Sequence, residues 1–461
     1  MKKENGNKNV LRKAFVRSRK SIIALAAPFT VRKIYFLDYT SVVAIGNTTL
    51  AHVKVTSRAS NIEYAIRDVI AHTEHLVKNG KKIYYLNIGD PAAFDFQTPQ
   101  YVKDALCKAI EEDNNYYSPS EGRLELREAI VRKEKRVNNV DITADNVIIT
   151  EGISEGIQMI LAALVERGDE ILFPGPTYPP YISYTRFFDG TPVAYETIEE
   201  EGWQPNIDDL RSKISPKTRA IVITNPNNPT GSVYSAKMIK EMLDIAGEHN
   251  LPVLSDEIYD QLTYEKEFVS TAYLSKDVPV VGLNGFSKVY QMTGWRLGYM
   301  YFKGEGKQLD DLRLGVEKQC RIRLCANTPV QIAGAAALNG PQDFVKGIVD
   351  RLRERRDFAW KRLNEIEGIT TTKPEGAFYI FPKIHAIGKR WKSDMEFVVE
   401  LLKETGVLIV NGSGFDPVYG KDHVRVVFLP PIKELDEAFN ALERFMKKKE
   451  KKVVHGQVGY G

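Results

Sequence analysis

Cysteine is nearly absent. The 461 residues hold three, Cys107, Cys320 and Cys325, with no Cys-X-X-Cys pair and an odd one over, which argues against a disulfide framework and fits a reducing, cytoplasmic setting. Histidine is scarce too, with seven in all. His72 and His75 in "HTEHL" share a helix face, but no further ligand set completes a site, so the pair reads as a solvated face and no metal is expected. Long apolar runs are also missing: "SIIALAAPFTV" follows a basic stretch as a signal peptide would, yet Arg32, Lys33 and Asp38 break it up, so neither a targeting signal nor a membrane segment is expected. Nor is there a basic folded face. Residues 1–33 carry ten Lys and Arg against one Glu, which leaves 54 basic and 59 acidic side chains in the rest of a chain of formal charge +4. The positive charge sits in a tail, without the clustering that nucleic-acid binding requires.

What is present has the balance of a globular, enzyme-sized chain, with 43% hydrophobic and 27% charged residues. Residues 1–56 read as a poorly ordered extension. From Ser57 a helical pattern, "NIEYAIRDVIAHTEHLVKNG", closes on Gly80 and leads into the strand-like "KKIYYLNIG". Between 141 and 300, apolar strand candidates ("NVIIT", "EILFPG", "TPVAYET", "RAIVITN", "LPVLSDE", "VPVVGLNG", "LGYMYF") alternate with amphipathic helices such as "SEGIQMILAALVERG" and "SAKMIKEMLDIAGEHN". That alternation predicts an α/β fold with a doubly wound, mostly parallel sheet. From about residue 335 the pattern changes to "DFVKGIVDRLRERRDFAWKRLNEI", "GAFYIFP", "DMEFVVELLKETG", "VRVVFLPP" and "ELDEAFNALERFMKKK", a smaller α+β domain, and residues 448–461 read as a basic tail.

Ligands of open α/β sheets sit at the carboxyl ends of the strands, so the polar residues that close an apolar strand matter most. Four strands here end in such residues. "NVIIT" runs into Glu151-Gly152-Ile153-Ser154 at a helix start, where free backbone N–H groups and the Ser154 hydroxyl suit a phosphate. "RAIVITN" ends in "PNNPTG", "LPVLS" in "DEIYD" and "VPVVGL" in "NGFSK". Taken singly, each reads equally well as a turn or a helix cap. Lys288 is harder to set aside, because Phe286, Val289, Tyr290 and Trp295 surround it with apolar and aromatic side chains.

Together, "NPNNPTG" (225–231), "SDEIYD" (255–260) and "SKVYQMTGWRLGY" (287–299) resemble, in order and spacing, the signature of the class I, fold type I aminotransferases, which depend on pyridoxal 5'-phosphate. "NIGDPAAFDFQTP", "PGPTYPPY", "IRLCANTP" and "GAFYIFPK" bring the resemblance closest to the alanine aminotransferase-like branch, and it covers residues 57–447. It implies a large cofactor-binding domain over 111–334 and a small domain over 335–447, to which 57–110 contributes. Lys288 would form the imine with the cofactor aldehyde and then serve as the base at the substrate Cα. Asp256 would pair with the pyridine nitrogen, Tyr259 and Asn228 with the phenolic oxygen, and Tyr178 would stack on the ring. Ile153, Ser154, Ser287 and Arg296 would hold the phosphate. Tyr117 would reach the phosphate of a neighbouring subunit, which implies a homodimer with shared sites. Arg425 would clamp the substrate α-carboxylate, with Gly89 and Asn228 beside it.

The resemblance implies transfer of an amino group between a small amino acid, alanine foremost, and 2-oxoglutarate by a ping-pong cycle. Aspartate or a broad range of aromatic and branched-chain amino acids remains open as donor on the same machinery. Arg321 and Arg323 offer a reach to a second substrate carboxylate, although helix arginines in salt bridges are the better reading. A cofactor-binding transcriptional regulator would need its DNA-binding domain within residues 1–56, which lack two well-spaced amphipathic helices.

Overall fold

The computed structural model describes residues 44–45, 48–49 and 53–456. The described residues divide into two units between Thr56 and Ser57. In the first, Ala44–Ile45 pairs antiparallel with Thr48–Thr49; the remainder of the expected poorly ordered extension lies outside the described residues, apart from 53–56.

The second unit is organised by an eight-stranded sheet. All seven strand candidates between 141 and 300 form: β2 (Val147–Thr150), β3 (Glu170–Gly175), β4 (Thr191–Ile198), β6 (Thr218–Thr224), β7 (Val253–Asp256), β8 (Val280–Gly285) and β9 (Gly298–Lys303), numbered after a short β1 (Tyr84–Tyr85) and with a two-residue edge strand β5 (Gln204–Pro205) between β4 and β6. Their spatial order is β2-β9-β8-β7-β6-β3-β4-β5. The four pairings from β8 through β7, β6 and β3 to β4 are all parallel. Strands β2 and β6 carry near-continuous Val/Ile runs, VIIT and AIVIT, without alternation because those stretches are buried on both faces. Strand β9 departs from the parallel rule, antiparallel to both β8 and β2. Its connection from β8 is a loop with a single helical turn, too little for the crossover helix that a parallel return needs.

Helices α1 (Ile153–Leu164) and α2 (Ala236–Glu248) follow β2 and β6. Ser235 caps the second by accepting from the Met238 N–H at 3.1 Å. In the C-terminal part α3 (Asp343–Asn364) and α4 (Asp394–Thr405) pack with the last helix, and the strands are short: Tyr379–Ile380 pairs with Val424–Val427, which pairs with Val410–Asn411. Strand β1 lies parallel to Val407–Leu408, so the segment before residue 110 is stitched to the C-terminal part.

Two elements differ from expectation. The helix expected over Asn61–Gly80 is broken into Ala65–Asp68, a tighter turn at Val69–Thr73, and Glu74–Lys78. Thr73 Oγ1 bonds back to the Ile70 carbonyl at 2.8 Å, competing with the helical ladder, while Ile66, Val69 and Thr73 are drawn into the core. The last helix runs Ile432–Gly456, into the stretch read as a tail, because Lys and Glu are good helix formers; residues 457–461 lie outside the described residues. Among the described residues no helix is long and apolar enough to cross a membrane.

Candidate active site

The carboxyl ends of β2, β6, β7 and β8 open into one cavity of about 760 Å³. Gly89, Ile153, Ser154, Tyr178, Asn228, Asp256, Tyr259, Ser287, Lys288, Arg296 and Arg425 all line it. Stretches far apart in sequence thus converge on one place, as the switch-point rule requires. Tyr117 does not join them: it is 78% exposed and outside the cavity of its own chain.

The amine of Lys288 donates to the Gly89 carbonyl at 2.6 Å and lies 5.5 Å from the centre of the Phe378 ring. Burial is the main reason its pKa falls to about 8; Arg425 and Arg296 push the same way, while Asp90 and Asp256 oppose them. A lysine held there is neutral in a useful fraction of molecules near pH 8. Asp256, at the end of β7, is buried and shifted the opposite way, to about 6, because burial disfavours its charge. It accepts from the Tyr181 hydroxyl at 3.0 Å and the Ile258 N–H at 3.3 Å.

Arg425, 1% exposed, donates to Asn228 Oδ1 at 2.9 Å and to the Asn87 carbonyl. Its guanidinium is sandwiched between the Tyr379 and Phe415 rings, 4.6 and 4.8 Å from their centres, and its Nε has no partner. A planar guanidinium lining a cavity has the geometry to meet a carboxylate. Tyr379 also shares a 2.7 Å hydroxyl contact with Tyr259.

Arg296 occupies the left-handed region at φ 55° and donates to the Thr293 carbonyl at 2.9 Å and the Glu151 carbonyl at 3.4 Å. A backbone strained in this way persists only where its surroundings over-determine it. Those surroundings leave no room: a Cβ on Gly298 would stand 2.7 Å from Gly152 C and 2.8 Å from Ile153 N, both backbone atoms at the start of α1. Gly298→Ala should therefore displace that helix start, costing about 2 kcal/mol in a denaturant melt.

Several contributors escaped sequence reasoning. Tyr181 touches Asp256, Asp90 accepts from Thr293 Oγ1 at 2.7 Å near Lys288, and Tyr379 stacks on Arg425. Asp90 and Tyr379 fall inside "NIGDP" and "GAFYIFPK", motifs that carried the signal without revealing those contacts. The second-carboxylate role weighed for Arg323 is excluded, since it pairs with Glu155 at 2.6 Å and donates to the Ser120 carbonyl. Arg321 lies 3.6 Å from Glu317, a surface helix pair.

Known proteins place this geometry. Glutamate-pyruvate aminotransferase AlaA of Escherichia coli K12 is 36% identical over 401 residues, 86% of this chain and 98% of the relative. An enzyme named alanine aminotransferase from Mycobacterium tuberculosis H37Rv is 37% identical over 85% of this chain and 92% of its own length. Among solved structures, alanine aminotransferase from Pyrococcus furiosus superposes with a TM-score of 0.84 at 55% identity, covering 86% of this chain and all of that one. Aspartate aminotransferase from Thermus thermophilus gives a TM-score of 0.78 at 30% identity, covering 85% and 100%. Residues 81–442 match the family described as aminotransferase class I and II, and with the lysine, carboxylate and arginines gathered in one cavity the chain belongs to that family of transaminases.

Proposed function

We propose that this transaminase moves an amino group between alanine and 2-oxoglutarate, binding the two substrates in turn. The single observation that carries the choice of alanine is the 55% identity, over its whole length, to a structure titled alanine aminotransferase. The family depends on pyridoxal phosphate, and the cavity suits that group: besides the amine and the two arginines it offers Thr224, whose buried hydroxyl has no partner. When bound, the cofactor supplies an aldehyde that condenses with amines and a cationic ring that draws electrons from the substrate Cα. Lys288 would hold the aldehyde, Asp256 the proton on the ring nitrogen, and Arg296 with Ser287, Ser154 and the Ile153 N–H the phosphate. Tyr259 and Asn228 suit the phenolic oxygen, and Tyr178 the ring face.

Arg425, Asn228 and Gly89 would fix the α-carboxylate, which orients the Cα–H bond toward the Lys288 amine. The neutral amine removes that proton and can return it to a neighbouring carbon without solvent. We further infer a large part over 111–334 and a small part over 335–447 joined by 57–110, a division supported by the pairing of β1 with Val407–Leu408. A homodimer in which Tyr117 completes the neighbour's phosphate site agrees with that tyrosine's exposure in the single chain. Three unpaired cysteines support a reducing, cytoplasmic compartment.

Two measurements test the reading. Borohydride reduction of the loaded protein followed by peptide mapping should place the cofactor's mass on Lys288 and on no other lysine. Half-reactions with a panel of amino acids should rank alanine and glutamate first; aspartate reacting much faster than alanine would overturn the substrate assignment.

A further inference from the structure

The guanidinium of Arg425 lies between two rings, and one of those rings is held from outside the cavity. Phe415 meets Phe381 edge to face at 6.0 Å, and Phe381 lies flat on the imidazole of His423, 5.0 Å between centres at an angle of 4°. Trp203 meets the same imidazole at 5.2 Å and 72°. His423 stands two residues before Arg425, at the neck where the loop over 412–423 returns to the strand Val424–Val427. Its carbonyl accepts from the Gly412 N–H at 2.9 Å, and its own N–H donates to the Gly420 carbonyl at 3.1 Å. It is 4% exposed and does not line the cavity.

A histidine buried this deeply has two ring nitrogens to satisfy. Nδ1 lies 3.0 Å from the Lys421 carbonyl, and Nε2 lies 3.2 Å from Glu199 Oε2. A carbonyl and a carboxylate both accept and neither donates, so the ring suits both neighbours only with a proton on each nitrogen; the neutral ring turns a lone pair on one of them. The face of Phe381 favours the same cationic form. Glu199 opens the single turn Glu199–Glu201 that follows β4, and Lys383 Nζ lies 3.3 Å from the same carboxylate oxygen. Burial pushes the Glu199 carboxyl up, but His423 and then Lys383 outweigh it and hold the group below the usual carboxylate range. Glu199 and Lys383 are thus the charged side chains at this ring, with Lys421 and Asp422 preceding it on its own loop.

We propose that His423 is a positioning residue for the α-carboxylate clamp: by bridging Glu199 to the Lys421 carbonyl it fixes the ring stack and the strand that aim Arg425 into the cavity. This rests on the reading of Arg425 as that clamp. Two-point capture of a carboxylate is sensitive to the direction of the fork, so a support that steadies Phe415 and the strand together acts on affinity without touching the substrate.

Holoenzymes of His423→Phe and Glu199→Gln test this, with propanoate as the probe of the α-carboxylate site. Phenylalanine keeps a ring to stack on Phe381 and removes both N–H groups. By calorimetry His423→Phe should bind propanoate about 3- to 30-fold more weakly than wild type, the range for a residue that acts on a site through its neighbours. The KM for alanine and for glutamate should rise together by a similar factor, while kcat and cofactor affinity stay within about twofold. The carboxamide of Glu199→Gln can donate to a ring nitrogen that carries no proton, so its bridge no longer depends on charge. Wild-type propanoate affinity should therefore fall relative to Glu199→Gln as pH rises and the ring loses its second proton, while the titrations of Lys288 and Asp256, common to both proteins, cancel in the ratio. Unchanged propanoate binding in His423→Phe, or equal losses of binding, kcat and cofactor affinity, would overturn the proposal, the second result marking a ring that only holds the fold. A ratio that did not move with pH would do the same. Wild type that binds no propanoate, or Arg425→Met that binds it undiminished, would sink the clamp reading itself, whereas a clamp indifferent to His423 sinks only this proposal.

Discussion

Lys288→Ala should fold as wild type does and transaminate at least about 1,000-fold more slowly, a loss at the upper end of what a positioned base contributes. The fold should survive because the side chain makes a single hydrogen bond, to the Gly89 carbonyl, which faces the cavity and can turn to water instead. The rate should not survive, since no other lysine lines that cavity. Circular dichroism and melting temperature check the first half, and single-turnover kinetics the second. Methylamine added to the variant should restore part of the rate, because a free amine can fill the space of the missing one; a merely structural lysine would show no such rescue. In the wild-type apoprotein, uptake of the cofactor aldehyde should steepen as pH rises through about 8, where the buried amine loses its proton. Lys288→Ala should lose that step.

How far these statements could be read from residue order follows from where the physics is local. The strands β2 and β6 announce themselves because burial on both faces favours uninterrupted apolar side chains, and the polar residues ending β6, β7 and β8 mark the site because chemistry collects at strand ends. Lys288 and Asp256 are legible for that reason, whereas Arg425, inside the strand Val424–Val427 of the C-terminal part, follows from the family resemblance, and the cavity brings all three together. Illegible were the partnerships that only tertiary structure creates. Tyr181 finds Asp256 across 75 residues and Tyr259 finds Tyr379 across 120, and nothing in the local pattern of either tyrosine tells a hydrogen-bonding role from packing. Tyr117 was named by resemblance, and its exposure in the single chain fits a role that a second chain would complete.

Asp256→Asn should lower turnover by about 100- to 1,000-fold, the usual cost of removing one preorganised electrostatic partner from a reacting centre. The substitution is nearly isosteric: the two bonds use different carboxylate oxygens, so the carboxamide oxygen can keep the Ile258 N–H while the carboxamide NH2 donates to the Tyr181 hydroxyl, and thermal stability should hold or rise slightly as a buried charge disappears. What asparagine cannot do is hold a proton on a ring nitrogen by charge. The wild-type carboxylate has that ability only when ionised, and in the cofactor-free fold burial sets its pKa at about 6. The sign follows directly: above pH 6 the group is charged and ready, and as pH falls through 6 it protonates and cofactor affinity should drop about tenfold per unit. Equilibrium dialysis between pH 4.5 and 7.5 should record in wild type a fall that steepens below about 6, and in Asp256→Asn a weaker profile that keeps only the single slope set by Lys288. A steepening near 6 that persisted in the variant would assign that proton to another group and remove Asp256 from its proposed place against the ring nitrogen. Aldehyde uptake in the wild type should accordingly fail in two steps on acidification, near 8 as Lys288 protonates and near 6 as Asp256 does, and each variant should erase one step while leaving the other.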